Sequence, residues 1–147
     1  MIGLDTNILV YAVSADGDPQ VKKARRILDR LFLLAPIVPV QVLGEFMNVV
    51  HRKRPIDPSD AARRIEEWLP LFRIPPTQPA DLIDANRLCI AHRLQFFDGL
   101  ICVVARREGA EVLLSEDMQD GSNVSGLTIL NPFAVANDVR LENLLSQ

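Results

Sequence analysis

Apolar positions along this 147-residue chain recur in two rhythms. Short unbroken runs at residues 2–4, 112–115 and 127–130 read as buried strands. Longer stretches between them keep helical spacing. Thr6 or Asn7 can cap a helix through Ile8, Leu9 and Tyr11. Asp18 caps a second helix with Pro19 at its first position, and Val21, Ala24, Ile27, Leu28, Leu31 and Phe32 form its stripe. Residues 35–39, Ala-Pro-Ile-Val-Pro, break that helix and hold a short strand. Pro39 opens a third helix with an apolar stripe at Val42, Leu43, Phe46, Val49 and Val50, stopped by Pro55. Asp57-Pro58 repeats the cap-and-proline start of a helix reaching about Leu69, on which Trp68 packs toward the core. Residues 71–74 resemble a strand, and Pro79 begins a helix through Leu82, Ile83, Ala85, Leu88 and Ala91. A further helix spans residues 98–108, with Gly109 as its stop and the Phe96-Phe97 pair before it assigned to the core. Residues 116–126 are polar and turn-rich, and the tail from Phe133 is weakly helical.

Short apolar strands alternating with amphipathic helices predict an α/β fold with a mainly parallel sheet. No repeat or linker divides the chain, so residues 1–147 are expected to form a single domain with a weakly structured end. In such sheets ligands bind outside the carboxyl ends of the strands. Asp5 and Asp117 both stand at such ends.

Composition narrows the class. Hydrophobic content of 48% and charged content of 24% are ordinary for a globular protein. No apolar run reaches membrane-spanning length and the first residues carry no basic segment, so a cytoplasmic protein with no membrane association is expected. Cys89 and Cys102 lie in apolar helical patterns and read as buried thiols. The net charge of −3 argues against a chain coated in positive charge, yet the basic residues cluster at Lys22 to Arg30, His51 to Arg54, Arg63-Arg64 and Arg106-Arg107. Local patches rather than the sum govern phosphate binding, although each cluster also suits a solvated helix face. His51 and His92 read as surface residues rather than ligands.

Four acids stand at the edges of apolar segments: Asp5, Glu45, Asp98 and Asp117. Taken singly each has an ordinary role, as a helix cap, a turn residue or a solvated helix position. Together they lack Lys or Arg neighbours within the same apolar runs, and a desolvated carboxylate needs a compensator. A divalent cation suits them, since Mg²⁺ and Mn²⁺ prefer oxygen ligands. Bound ions would offset the mutual repulsion, sharpen a water nucleophile and stabilise the oxygens of a phosphodiester under attack. No persuasive Ser-His-Asp set, catalytic Cys or glycine-rich phosphate loop is present.

The segments Leu4-Asp5-Thr6-Asn7-Ile8-Leu9, Leu43-Gly44-Glu45-Phe46, Phe97-Asp98-Gly99-Leu100-Ile101 and Leu113-Leu114-Ser115-Glu116-Asp117 together resemble the PIN-domain ribonucleases, nearest to small VapC-type toxins. The resemblance runs from Asp5 to the strand before Asn131-Pro132. It implies a three-layer α/β/α sandwich and a Mg²⁺- or Mn²⁺-dependent endoribonuclease hydrolysing RNA. It further implies frequent homodimers and, for toxins, a small antitoxin partner. Asp5, Glu45, Asp98 and Asp117 match the family's acidic quartet; Thr6 or Asn7 and Ser115 match positions that orient the acids, and Asp120 offers a supplementary ligand. One departure is Gly99, where Ala is more usual.

Competing readings differ in what they demand. A haloacid-dehalogenase-like phosphatase wants a second acid two residues after Asp5, where Asn7 stands. A receiver domain wants an acid pair and a late-strand Lys, and neither is present. A non-catalytic PIN-fold RNA-binding protein, or a housekeeping PIN nuclease without an antitoxin, would keep the fold while changing the biology.

Overall fold

The computed structural model describes all residues from Met1 to Gln147. Three strands, β1 (Ile2–Leu4), β2 (Val112–Leu114) and β4 (Leu127–Leu130), lie parallel in the order β1-β2-β4, and β3 (Asn123–Val124) pairs antiparallel on the β4 edge. Register sets Leu4 beside Leu114 and Leu114 beside Leu130, so the three parallel strands end level. Seven helices surround this sheet: α1 (Thr6–Val13), α2 (Pro19–Leu31), α3 (Val40–Lys53), α4 (Pro58–Trp68), α5 (Pro79–His92), α6 (Phe96–Arg107) and α7 (Asp138–Leu145). The principal helix contacts fall into two groups, α5 with α6, and α1 with α2 and α3, the latter extended by α4 and α7. This is the α/β sandwich expected.

Two caps are those the sequence predicts, whereas α1 is capped by Asp5, whose carboxylate accepts from Thr6 N, rather than by Thr6 or Asn7. Asp18 accepts a bond from Gln20 N at 2.9 Å and Asp57 one from Ser59 N at 2.9 Å, each ahead of a proline at the first helical position. The stripes of α2 and α3 enter a continuous cluster of buried apolar residues, in which Trp68 meets Phe46 edge-on at 5.1 Å.

Several other expectations differ from what is found. Residues 35–39 and 71–74 are not strands: Ile37 and Arg73 make single parallel bridges extending the sheet beyond β1. Prolines at 36, 39, 75 and 76 remove the donors a longer ladder needs. Helix α6 starts at Phe96 rather than Asp98, and Phe96 and Phe97 are 37% and 55% exposed instead of core. Cys89 is half-buried while Cys102 is buried, and both thiols are free. The tail is tied down: Leu141 and Leu145 of α7 are buried, Lys23 pairs with Asp138 at 2.6 Å, and Arg26 and Arg30 both hold Glu142. No single helix is long and apolar enough to cross a membrane.

Candidate active site

The level ends of β1 and β2 place Asp5 and Ser115 side by side. Asp5 Oδ1 accepts from Thr6 N at 2.7 Å, and Ser115 Oγ donates to Asp5 Oδ2 at 2.6 Å. Met118 N donates to Ser115 Oγ at 3.3 Å, which leaves the hydroxyl proton for Asp5. Asp5 is 4% exposed. Burial pushes its pKa up to about 6, the hydrogen bonds from Ser115 and Thr6 pull it down, and the charges of Asp98 and Glu45 push it up again.

The other acids arrive from separate elements. Glu45, on α3, accepts from Thr6 Oγ1 at 3.0 Å and from Gln41 Nε2 at 2.7 Å. Asp98 stands in the first turn of α6, where the helix amides favour negative charge. It accepts no hydrogen bond from the protein; burial first, then the charges of Glu45 and Asp117, hold its pKa above the usual carboxylate range. Asp117, beyond β2, is exposed and accepts from Asn7 Nδ2 at 3.2 Å. Thr6, Asn7, Glu45, Asp98 and Asp117 line one cleft of about 770 Å³. Asp5 lies behind this lining, coupled to it through Thr6.

Two site features escaped the sequence. Gln41, one turn before Glu45, gives its amide to Glu45 and to Phe97 O at 3.2 Å, tying α3 to the start of α6. Glu116 is a fourth acid lining the cleft, holding Gln20 Nε2 at 2.8 Å. The neighbouring Tyr11 phenol is raised to about 12, by burial first and then by its hydrogen bond to Glu116. The i, i+4 spacing of Gln41 and Glu45 was the available signal for the first; nothing in the sequence separates Glu116 from Asp117. Asp120 is turned to another use, accepting from Asn131 N at 2.8 Å and Asn137 Nδ2 at 2.9 Å, which anchors the C-terminal segment and lowers its pKa.

The donor set suits a hydrated cation. Asn7 and Gln41 each spend their amide nitrogen on an acid, and each keeps a buried carbonyl oxygen without a partner. Asp98 has both oxygens free of protein donors. As placed, no three carboxylate, His or Cys side chains are grouped to grip an ion directly. The oxygens of Asp5 and Glu45 are instead engaged by Thr6, Ser115 and Gln41. Such an arrangement fits an ion that keeps several waters and takes one or two carboxylates, as Mg²⁺ does.

The sequence model of the PIN domain matches residues 2–119. Among solved structures, the chain is similar to VapC20 of Mycobacterium tuberculosis, a sarcin-ricin loop cleaving toxin, with TM-score 0.63 and 21% identity over 80% of this chain and 90% of that one. It is similar to a toxin–antitoxin complex from Klebsiella pneumoniae, with TM-score 0.66 and 17% identity over 92% and 100% of the two chains. VapBC2 from Rickettsia felis, bound to a DNA fragment from its promoter, superposes with TM-score 0.63 and 19% identity over 89% and 98%. No curated protein matches the sequence.

Proposed function

The chain belongs to the PIN domain family, and from that premise we propose that it is a metal-dependent endoribonuclease, the toxin of a toxin–antitoxin pair. The observation that carries this reading is the convergence of Glu45, Asp98 and Asp117 on one cleft, with Asp5 directly behind. The likeness to a sarcin-ricin loop cleaving toxin and to a toxin–antitoxin complex supports it.

Asp98, Asp117 and Glu45 would hold Mg²⁺ or Mn²⁺, with Asp5 supporting them from behind. The ion, when bound, lowers the pKa of a coordinated water and offsets charge on the phosphodiester. The chain's own groups do the positioning. Ser115 and Thr6 N fix the Asp5 carboxylate, Thr6 and Gln41 fix Glu45, and Asn7 fixes Asp117. Asp98, half-buried and free of protein hydrogen bonds, keeps both carboxylate oxygens open toward the ion and its waters.

A cytoplasmic location is part of the same reading. A homodimer is also part of the reading, and the apolar stripes of α3 and α4 do not supply its surface. Val42, Leu43, Phe46, Val50, Ala61 and Trp68 are consumed by the core. Exposed apolar side chains on the α5–α6 pair are Leu82, Ile83, Ile90, Phe96 and Phe97. Light scattering on Ile83→Asp beside the unaltered protein decides it; a monomer in both removes the dimer.

The deciding experiment is cleavage of total RNA with and without Mg²⁺ or Mn²⁺ by the wild type and by Asp98→Asn. Metal-dependent cleavage that the variant lacks is expected. RNA binding without cleavage under any divalent metal would make the protein a non-catalytic PIN-fold binder.

A further inference from the structure

The cations of this chain are not equivalent. Lys23, Arg25, Arg26 and Arg30 are paired with Asp138, Asp16 and Glu142; Arg63 and Arg64 with Asp60 and Glu67; Arg107 with Asp81 and Glu108. Most of the basic clusters in the sequence are therefore neutralised within the fold. Arg52 and Lys53 have no acidic partner, are exposed, and are the only Lys or Arg side chains that line the acidic cleft. They stand on the same helix as Glu45. Arg52 follows Glu45 by seven residues, two helical turns, which returns it to the same face about 10 Å further along. The face between them carries Asn48 and Val49, while Gly44 stands beside Glu45 at the acidic end. A side chain at Gly44 would meet nothing within 4 Å, so no packing in this chain demands a glycine there. The cleft is thus polarised: acids beside the open position at Gly44 at one end, Asn48 and Val49 in the middle, two uncommitted cations at the other.

We propose that Arg52 and Lys53 are a phosphate-anchoring pair that holds a single RNA strand along α3, one or two nucleotides from the phosphodiester facing the acids. The proposal rests on the nuclease reading and deepens it, because it fixes the strand's path and makes substrate length matter on one side of the cut. A purely structural role is the alternative, since cations in the last turn of a helix favour its dipole. That role moves melting temperature and leaves RNA affinity alone.

The test uses the full chain and a mixed-sequence single-stranded RNA twelve nucleotides long. Binding is followed by fluorescence anisotropy over a range of salt concentrations, without divalent metal, for wild type and Arg52→Gln/Lys53→Gln. A single strand contributes a slope of about 0.7 in log K against log salt for each phosphate neutralised. The double variant should therefore lose about 1.4 from its slope and bind about tenfold or more weakly at low salt. Lys22→Gln/Arg140→Gln removes the same charge from unpaired cations outside the cleft and should keep the wild-type slope. With Mn²⁺, the Arg52/Lys53 variant should show a raised KM and an unaltered kcat on the long RNA. RNAs shortened on one side of the cut should abolish that difference; those shortened on the other should preserve it. An unchanged slope, no binding by the wild type, or equal slope loss in the Lys22/Arg140 control each overturns the anchor. Wild-type cleavage of the same RNA is scored separately, so the anchor can fail while the nuclease reading stands.

Discussion

The Sγ of Cys89, on α5, occupies the space in which a side chain at position 99, on α6, would begin: a Cβ placed on Gly99 would overlap it. The thiol sits against Gln95 O at 3.4 Å, closing the corner between the two helices. The join between the two helices lies immediately after Asp98. Gly99→Ala should therefore destabilise the protein by about 1–2 kcal/mol, the cost of overpacking exceeding the helix gain of alanine. Cys89→Ala/Gly99→Ala should recover at least the wild-type melting temperature. A more stable Gly99→Ala single variant would show that the thiol simply rotates aside.

The raised pKa of Asp5 gives a signed pH prediction. Its folded value of about 6 lies above its ordinary 3.8. Between those values the native state keeps a proton that the unfolded state has released, so this group's contribution falls as pH rises through that window. Above it the full cost of the buried charge remains, up to about 3 kcal/mol. Asp98 shifts the same way. Asp5→Asn should thus stabilise the metal-free protein near neutral pH and flatten the slope of stability between the two pKa values, while abolishing cleavage. Equal denaturant midpoints for the two proteins near neutrality would contradict it.

Added Mn²⁺ or Mg²⁺ should raise the melting temperature of the wild type by mass action, worth about 2.7 kcal/mol at a hundredfold excess over Kd. Asp98→Asn should lose most of that increment, because Asp98 is the acid whose oxygens no protein donor occupies. Asp120→Asn should retain it, since Asp120 is bound to Asn131 and Asn137. A melt indifferent to millimolar metal argues against the site, and loss of the increment in Asp120→Asn would return that residue to the ligand set.

The strands, the caps and the acid at each strand end were readable because each is a local rule: an unbroken apolar run, an Asp before a proline, a carboxylate where a parallel sheet opens. The exposure of Phe97 was not readable, because the same apolar residue serves a core or a rim and only the turn at Gln95 decides which. The β3–β4 hairpin was hidden because Ser125 takes a left-handed φ of 51° beside Gly126, a position that Asn or Gly usually marks. The basic clusters misled for a related reason. Lys23, Arg26 and Arg30 are answered by acids more than a hundred residues away on α7, a pairing no local pattern reveals.

The last prediction concerns how such an enzyme is kept silent. A cleft of unpaired carboxylates is most simply blocked by a cation that replaces the ion, and a guanidinium can bind two carboxylate oxygens at once. Asp98 and Asp117 both line the cleft, Asp98 half-buried and Asp117 exposed. The face of α3 beside them is open at Gly44, where an approaching segment can come close to the helix backbone. A small antitoxin should therefore lay an apolar segment along this face and set an arginine between Asp98 and Asp117. Ion and arginine then compete, so rising Mn²⁺ should weaken the complex. Gly44→Ala should stabilise the free protein by up to about 1 kcal/mol through helix propensity, yet loosen the complex through the added methyl. The measurement is co-purification with the product of the adjacent reading frame, followed by titration with Mn²⁺ for both proteins. A complex insensitive to Mn²⁺ and to Gly44→Ala would place the inhibitor elsewhere. The absence of any partner, with harmless overexpression of an active nuclease, would assign the protein to housekeeping RNA turnover.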